Sequence, residues 1–142
     1  MTLMSTICVT GGPRTGKTTF AERVEQRTGI PARHSDTLIQ DLAWSDASAE
    51  VAKWFDEPGP WLIEGVAVVR ALRKWLLAHP EGKPCDRVLF LVDPVVEQTP
   101  GQKAMAKGCA TIWGGIVAEL RARGVVVSVG FEDLEKGDEH AA

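Results

Sequence analysis

The sequence predicts an α/β fold in which a five-stranded parallel sheet carries helices on both faces. Four short runs are rich in apolar and β-branched residues, as expected of buried strands, and residues 32–34 can form a further short strand. Segments with helical spacing of apolar residues separate these runs, and this alternation is typical of a parallel sheet. The predicted strands are residues 5–10 (STICVT), 32–34 (ARH), 61–65 (WLIEG), 87–93 (RVLFLVD) and 125–129 (VVVSV).

The segments between the strands predict helices, with glycine and proline at the breaks. Residues 18–26 have an apolar stripe at Phe20 and Val24. Ser45 or Asp46 is the expected cap within the second segment. Residues 94–108 show no clear period and predict an irregular lid. The predicted helical segments are 18–26, pieces of 38–55, 66–79 and a last helix marked by Ile112, Ile116 and Leu120.

The turn after the first strand carries GGPRTGKT, which fits G-x-x-x-x-G-K-[ST] without a mismatch. A strand, a glycine-rich turn and a helix in this order direct backbone N–H groups and the positive helix end at one point, where a polyphosphate binds. Lys17 would reach the β- and γ-phosphates, and the Thr18 hydroxyl would complete the shell of a Mg²⁺ ion. The residues expected to hold a nucleoside triphosphate are Gly11, Gly12, Pro13, Arg14, Thr15, Gly16, Lys17, Thr18 and Thr19.

Three acids stand at or just after the ends of predicted strands, namely Asp36, Glu64 and Asp93. Open α/β sheets bind their ligands at the carboxyl ends of the strands. A P-loop enzyme needs one acid near Thr18 to hold magnesium, and a kinase needs another to accept or orient the proton of the acceptor hydroxyl. A strand-end acid taken alone is as often a helix cap or a solvated end. The three acids together therefore predict a phosphate-handling edge of the sheet.

Length and composition indicate one globular domain. The chain has 142 residues, of which 44% are apolar and 25% are charged. No apolar run approaches the ~20 residues of a membrane span, and the N-terminus lacks the basic start of a secretion signal, so we expect no membrane partner. The cysteines Cys8, Cys85 and Cys109 are widely spaced and odd in number. They predict reduced thiols and a cytoplasmic location.

Residues 131–142 (FEDLEKGDEHAA) form an acidic tail with five acids and one lysine, a net charge of −4. Since the whole chain carries −3, residues 1–130 carry +1. A body this close to neutral neither requires nor excludes contact with nucleic acid. We expect a folded domain over residues 1–130 and a poorly ordered tail after it.

Four stretches together resemble the nucleoside-monophosphate-kinase-like branch of P-loop kinases, which includes adenylate, shikimate and gluconate kinases. They are GGPRTGKTTFA, RHSDTLI, WLIEGVAVVRALRKWL and RVLFLVDP, and the resemblance covers roughly residues 5–130. It implies a three-layer P-loop NTPase fold with sheet order 2-3-1-4-5, and a kinase that uses ATP and Mg²⁺. By the same resemblance Glu64 helps to position magnesium together with Thr18, Asp36 contacts the acceptor, and Asp93 opens the lid.

The sequence departs from that family in its lid. Relatives of adenylate kinase usually carry a pair of lid arginines that clamp the transferring phosphates, and residues 94–108 contain none. Lys103 and Lys107 could supply charge, but not a bidentate fork. Arg14 in the P-loop or Arg70 after the third strand could take over the clamp, or either could be an ordinary surface charge. The acceptor-binding insert between Asp36 and the third strand is also short, which suits a very small acceptor or a large one.

The compact length, the short lid and the blocks GGPRTGK, HSD and IEG further resemble kinases of tailed bacteriophages that hypermodify thymine. This resemblance implies that the acceptor is the hydroxymethyl group of 5-hydroxymethyluracil in phage DNA, modified as protection from host restriction, and that the protein acts in the host cytoplasm. An extruded base could then stack on Trp44, Trp54 or Phe55, although core packing is the simpler role for these residues.

Two alternatives stay open at this point. The acceptor could be a free nucleotide, a nucleoside or another small hydroxyl-bearing metabolite. In a different class, the chain could be a regulatory module that binds a nucleoside triphosphate and hydrolyses it slowly. The N-K-x-D strand end typical of guanine-specific switches is absent from the sequence, and 142 residues leave little room for a motor.

Overall fold

The computed structural model describes residues 5–39 and 42–130, and for Ile39 and Trp44 it describes the backbone alone. Five strands and five helices alternate along this part of the chain. In order they are β1 (Thr6–Gly11), α1 (Lys17–Thr28), β2 (Ala32–His34), α2 (Asp36–Ile39), α3 (Trp44–Trp54), β3 (Trp61–Glu64), α4 (Val68–Ala78), β4 (Arg87–Leu91), α5 (Pro100–Ala122) and β5 (Val126–Val129). The acidic tail predicted at 131–142 lies outside the described residues.

All five strands pair in parallel in the order β2-β3-β1-β4-β5, which confirms the predicted α/β fold and sheet order. The register sets Val9 of β1 beside Glu64 of β3, and Glu64 in turn beside His34 of β2. The carboxyl ends of these three strands therefore lie together at one edge. The turn that follows β1 and the acids that follow β2 and end β3 meet at this edge.

Helices cover both faces of the sheet because consecutive strand residues point to opposite sides. On one side, Val9, Leu62 and Leu89 pack with Ala21 of α1. On the other side, Cys8, Ile63, Val88 and Phe90 join a larger core cluster that includes residues of α4 and α5. The inner strands β1, β3 and β4 are mostly buried because helices cover both faces of the sheet, as the sequence predicted. The edge strands β2 and β5 are only partly buried.

The last helix is longer than the sequence predicted. It begins at Pro100 and runs to Ala122, so its first turns occupy part of the segment expected to be an irregular lid. Thr99 caps this helix, since its hydroxyl accepts from the N–H of Gln102 and the Gln102 side chain accepts from the N–H of Thr99. The expected lid at 94–108 is therefore an irregular loop only as far as Thr99.

One local prediction in the second helical segment is wrong. The residue at the cap position of α3 is Ala43, not Ser45 or Asp46, and both of those residues lie inside the helix. Within the described residues, none of the helices has both the length and the apolar character required to traverse a lipid bilayer.

Candidate functional site

The P-loop lies between β1 and α1, where the sequence predicted it. Gly16 occupies the cap position of α1 in a left-handed conformation, and no side chain caps that helix end. The N–H groups of a first turn without a side-chain cap need acceptors from elsewhere. A phosphate group meets that need, because it brings several acceptor oxygens and a negative charge to the positive end of the helix.

Lys17 is only 5% exposed, and its ammonium group donates to the carbonyl oxygen of Gly12 at 2.6 Å. The Thr15 hydroxyl donates to the same carbonyl at 2.9 Å. Burial lowers the pKa of Lys17 from its ordinary value, while the Asp36 and Glu64 carboxylates act to raise it. The lysine is thus held across the loop, with two acids close enough to interact with its charge.

Thr18 and Glu64 form a pair beside the P-loop. The Thr18 hydroxyl donates to Oε2 of Glu64 at 2.9 Å, so the lone pairs of its oxygen remain available to a cation. Glu64 is 1% exposed, and its other oxygen, Oε1, has no hydrogen-bond partner among the described residues. A buried carboxylate oxygen without a donor is costly unless a ligand or water reaches it.

This pair suits a magnesium ion that arrives with a nucleotide. Magnesium in such sites takes one or two protein oxygens, and phosphates and waters supply the rest. Among the residues that the structure describes, no group of three or more His, Cys, Asp or Glu side chains forms a self-sufficient metal cage. The Thr18 hydroxyl and the Oε1 atom of Glu64 are oxygen ligands of the hard type that magnesium prefers.

Asp36 is the first residue of α2 and lies two residues after the end of β2. Its Oδ1 atom accepts from the backbone N–H of Val66 at 3.1 Å, which ties the carboxylate to the loop after β3. Gly65 makes this approach possible: a Cβ atom there would lie 2.7 Å from Asp36 Oδ1 and 1.9 Å from Ser35 Oγ. The carboxyl end of β2 is thereby brought against the carboxyl end of β3.

One cleft of about 520 Å³ joins the P-loop and Asp36. Lys17 and Asp36 both line it, so the P-loop lysine and the acid that follows β2 share one cavity. Asp93 is exposed and lies outside the described residues that line the cleft. The cleft is lined by Pro13, Arg14, Gly16, Lys17, Thr18, Thr19, Asp36, Val66, Val95, Gln102 and Met105.

The loop between β4 and α5 is fixed to the P-loop. The N–H of Val95 donates to the carbonyl of Arg14 at 2.7 Å, and the Gln98 side-chain amide donates to the carbonyl of Pro13 at 2.6 Å. From α5, the methyl group of Ala106 lies 2.6 Å from the position that a Cβ on Gly12 would occupy. This region therefore contacts the P-loop at Gly12, Pro13 and Arg14.

Arg14 lies in this contact region and lines the cleft. Its φ angle is 62°, unusual for a residue with a side chain. Its Nε atom donates to the Gln102 side chain at 3.2 Å, and Gln102 also takes part in the cap of α5. The guanidinium is thus tied to the first turn of α5 at the cleft.

The other candidate cations lie differently. Arg70 is half-buried in α4 and near the α5 backbone, with its Nη2 atom 3.7 Å from the Cβ position of Gly108. Burial raises the pKa of the Cys109 thiol, and the positive charge of Arg70 offsets part of that rise. Arg70 is not among the described residues that line the cleft, and Lys103 and Lys107 are exposed on α5.

Of the aromatic residues proposed as a stacking platform, Phe55 and Trp54 take part in packing. Phe55 is 6% exposed and stacks on Trp61 at 5.9 Å between ring centroids, so it belongs to the core. Trp54 packs partly against the same core, and the Arg33 guanidinium lies 3.9 Å from its ring centroid. The Trp44 side chain is outside the described atoms.

Sequence reasoning gave no role to His34, Gln98 or Gln102. The T-x-x-Q spacing of Thr99 and Gln102 is a capping-box signal and could have revealed the start of α5. Gln98 and His34 carry no such local signal, because their partners are more than 25 residues away in sequence.

Comparison with solved structures finds similar folds. One is shikimate kinase from Acinetobacter baumannii in complex with shikimate, with a TM-score of 0.53, 14% identity, and coverage of 82% of this chain and 80% of that one. This likeness establishes the fold. The five-stranded sheet and its helices have an architecture similar to that of this shikimate kinase. No protein-family model matches the sequence, and a search of curated proteins found no match.

Proposed function

We propose that the chain is an ATP-dependent kinase that transfers the γ-phosphoryl group of ATP to a hydroxyl group. The observation that carries the proposal is the cleft lined by Lys17, Thr18 and Asp36, in which the Thr18 hydroxyl also bonds to the buried Glu64 carboxylate. A module that only binds nucleotide needs the lysine and the threonine. It has no need of a second acid placed where an acceptor would enter.

In this mechanism, the P-loop N–H groups and Lys17 hold the β- and γ-phosphates. Thr18 and Glu64 would hold magnesium, which when bound neutralises charge on the phosphate oxygens. The acceptor oxygen forms a bond to the γ-phosphorus, the bond from that phosphorus to the β–γ bridging oxygen breaks, and ADP leaves. Asp36 accepts the proton that the acceptor hydroxyl loses.

Asp36 is suited to this task by its fixed position. Its Oδ1 atom is held by the Val66 N–H at 3.1 Å, which orients the carboxylate toward the cleft that it lines. Fixed orientation of a base contributes to catalysis because no free energy is then spent in aligning it during the reaction. Arg14 is the cation best placed to take over from the missing lid arginines, since it lines the same cleft, and Arg70 is the second candidate.

For the acceptor we propose the hydroxymethyl group of 5-hydroxymethyluracil in bacteriophage DNA. The support is the sequence resemblance in the GGPRTGK, HSD and IEG blocks, together with the short lid. The loop of residues 94–99 ends at a capped helix rather than extending into a long closing arm. A base in a duplex would have to be extruded to reach Asp36, at a cost of a few kcal/mol for unstacking and unpairing.

A small hydroxyl-bearing substrate is the second candidate. Its support is the similar fold of a kinase whose structure is described as a complex with shikimate. The cleft volume of about 520 Å³ lies within the range usual for small-molecule sites.

The test incubates the protein with ATP labelled in the γ-phosphate and with each candidate acceptor in turn. The acceptors are DNA containing 5-hydroxymethyluracil, the same DNA with thymine, free nucleotides and nucleosides, and a set of small hydroxy acids and sugars. We expect label on the modified DNA alone. Label on a small acceptor alone would reassign the substrate, and release of inorganic phosphate with no labelled acceptor would favour the regulatory module.

A further inference from the structure

We propose that His34 is a positioning residue that fixes the Glu64 carboxylate for magnesium binding. The proposal rests on the kinase function proposed above, and it adds a residue to that site. His34 ends β2, and its Nδ1 atom lies 2.7 Å from Oε2 of Glu64. Its side chain is not part of the described cleft lining and bonds to Glu64, so its effect on the site passes through Glu64.

The sheet itself creates this contact. His34 and Glu64 are register partners on the neighbouring parallel strands β2 and β3, so their side chains leave the sheet on the same face. The N–H of Ser35 donates to the backbone carbonyl of Glu64 at 2.9 Å and closes the pairing at this edge. The position of the imidazole is therefore set by the backbone ladder and not by a loop.

The hydrogen bonds to Glu64 are unequally distributed between its two oxygens. Oε2 receives both the Thr18 hydroxyl at 2.9 Å and the His34 ring nitrogen at 2.7 Å, whereas Oε1 has no partner among the described residues. Because a carboxylate oxygen accepts, Nδ1 carries the hydrogen in this contact. Two donors on one oxygen fix the torsion of the side chain and leave the other oxygen as the one that can serve a cation.

The difference in burial shows which partner depends on the other. The Glu64 side chain is 1% exposed, while that of His34 is 33% exposed. A buried carboxylate needs hydrogen bonds to offset its lost hydration, and an imidazole in contact with water does not need the carboxylate. Loss of His34 would leave Thr18 as the only described donor to Oε2 and would free the carboxylate to rotate away from the metal position.

The test measures nucleotide binding by isothermal titration calorimetry, first with ATP and EDTA and then with ATP at increasing Mg²⁺. His34→Ala removes the donor, and His34→Asn retains an N–H donor two bonds from Cβ, as in the imidazole. With EDTA we expect the same ATP affinity for wild type and both variants. In magnesium, His34→Ala should need ~10-fold more Mg²⁺ for the half-maximal gain in affinity, as is usual when an outer partner of a metal ligand is lost. The Mg²⁺ requirement of His34→Asn should be close to that of the wild type.

Two controls separate positioning from general stability. His79→Ala removes a histidine whose Nδ1 also makes a hydrogen bond, to the Trp75 carbonyl at the end of α4, and it should leave the magnesium requirement unchanged. In a Glu64→Gln background, His34→Ala should add no further change, since the two residues act as a unit. Should His34→Ala fail to fold, His34→Gln, which moves the amide one bond outward, takes its place.

An unchanged magnesium requirement in His34→Ala would overturn the proposal, as would a His34→Asn variant no better than His34→Ala. A wild-type protein that binds no ATP under either condition would instead remove the proposed kinase function. The two failures are therefore distinguishable in one set of titrations.

Discussion

At the scale of single residues, the site depends on a few side chains held by fixed hydrogen bonds. Lys17 bonds to Gly12, Thr18 to Glu64, and Asp36 to the N–H of Val66. Each of these groups is placed by a strand end or by the first turn of a helix. Substitutions that exchange one functional group should therefore separate phosphoryl transfer from nucleotide binding.

Replacing Asp36 with asparagine should slow phosphoryl transfer by ~10² or more, because the amide cannot take the proton of the acceptor. Asparagine keeps an oxygen that can accept from the Val66 N–H, so the fold and the affinity for ATP should change little. Single-turnover transfer from labelled ATP measures the effect. A loss of less than about threefold would reassign Asp36 to positioning, because general acid–base catalysis normally contributes far more.

Gly65→Ala should reduce transfer strongly. The added Cβ would lie 1.9 Å from Ser35 Oγ and 2.7 Å from Asp36 Oδ1, at a φ of 141° that alanine rarely adopts, so Asp36 must move. Gly29→Ala is the matched control, since Gly29 also has a positive φ but has no atom within 4 Å of the new Cβ. The control should lose ~1 kcal/mol of stability and keep its kcat. Equal kcat losses in both variants, measured on folded protein, would refute this role of Gly65.

At the scale of secondary-structure elements, the alternation of strands and helices was predictable because helices cover both faces of the sheet, which makes the inner strands β1, β3 and β4 largely apolar. The start of α5 was not predicted. Gly101 and Gly108 interrupt its apolar period, although Thr99 and Gln102 mark its start. The His34–Glu64 contact could not be read from spacing, since it depends on the register between β2 and β3.

The loop between β4 and α5 is expected to act as a fixed wall of the nucleotide site. Gln98→Leu removes the bond to the Pro13 carbonyl and should raise the KM for ATP several-fold with a smaller effect on kcat. Glu97→Leu, a change of an exposed neighbour in the same loop, is the control and should alter neither constant. If the two variants have the same KM, the loop does not support the P-loop.

Asp86 joins the amino ends of β1 and β4. Its carboxylate accepts from the Thr6 N–H at 3.0 Å, and this bond, with Lys83 nearby, holds the pKa of Asp86 below its ordinary value. A carboxylate with a lowered pKa in the folded state contributes stability above the unfolded pKa of about 4, and this contribution disappears as the pH falls through the folded pKa. Asp86→Asn should therefore lower the free energy of unfolding at pH 7 and flatten its decline below pH ~4.

Urea unfolding at several pH values measures this effect. Asp93→Asn, a change of an exposed acid, is the control for the loss of one negative charge. If the free energy of unfolding of Asp86→Asn falls with pH as steeply as that of the wild type, the role given to the Thr6 contact is contradicted.

At the scale of the whole molecule, the sequence motif predicted the position of the P-loop between β1 and α1, and the sheet order explains why the acids lie beside it. β1 is central, and β3 is its neighbour, so Glu64 reaches Thr18 across one strand spacing. Asp36 reaches the cleft because β2 pairs with β3. The identity of the acceptor does not follow from this architecture, since similar folds serve different substrates.

The most direct test of the central claim is the equilibrium binding of ATP with magnesium to the wild type and to Lys17→Ala, followed by transfer of labelled γ-phosphate in both. Lys17→Ala is expected to remain folded, to bind ATP at least ~10-fold more weakly because a buried charged hydrogen bond to phosphate is lost, and to transfer no label. Equal affinity and equal transfer in the two proteins would contradict a phosphate-handling cleft built around Lys17.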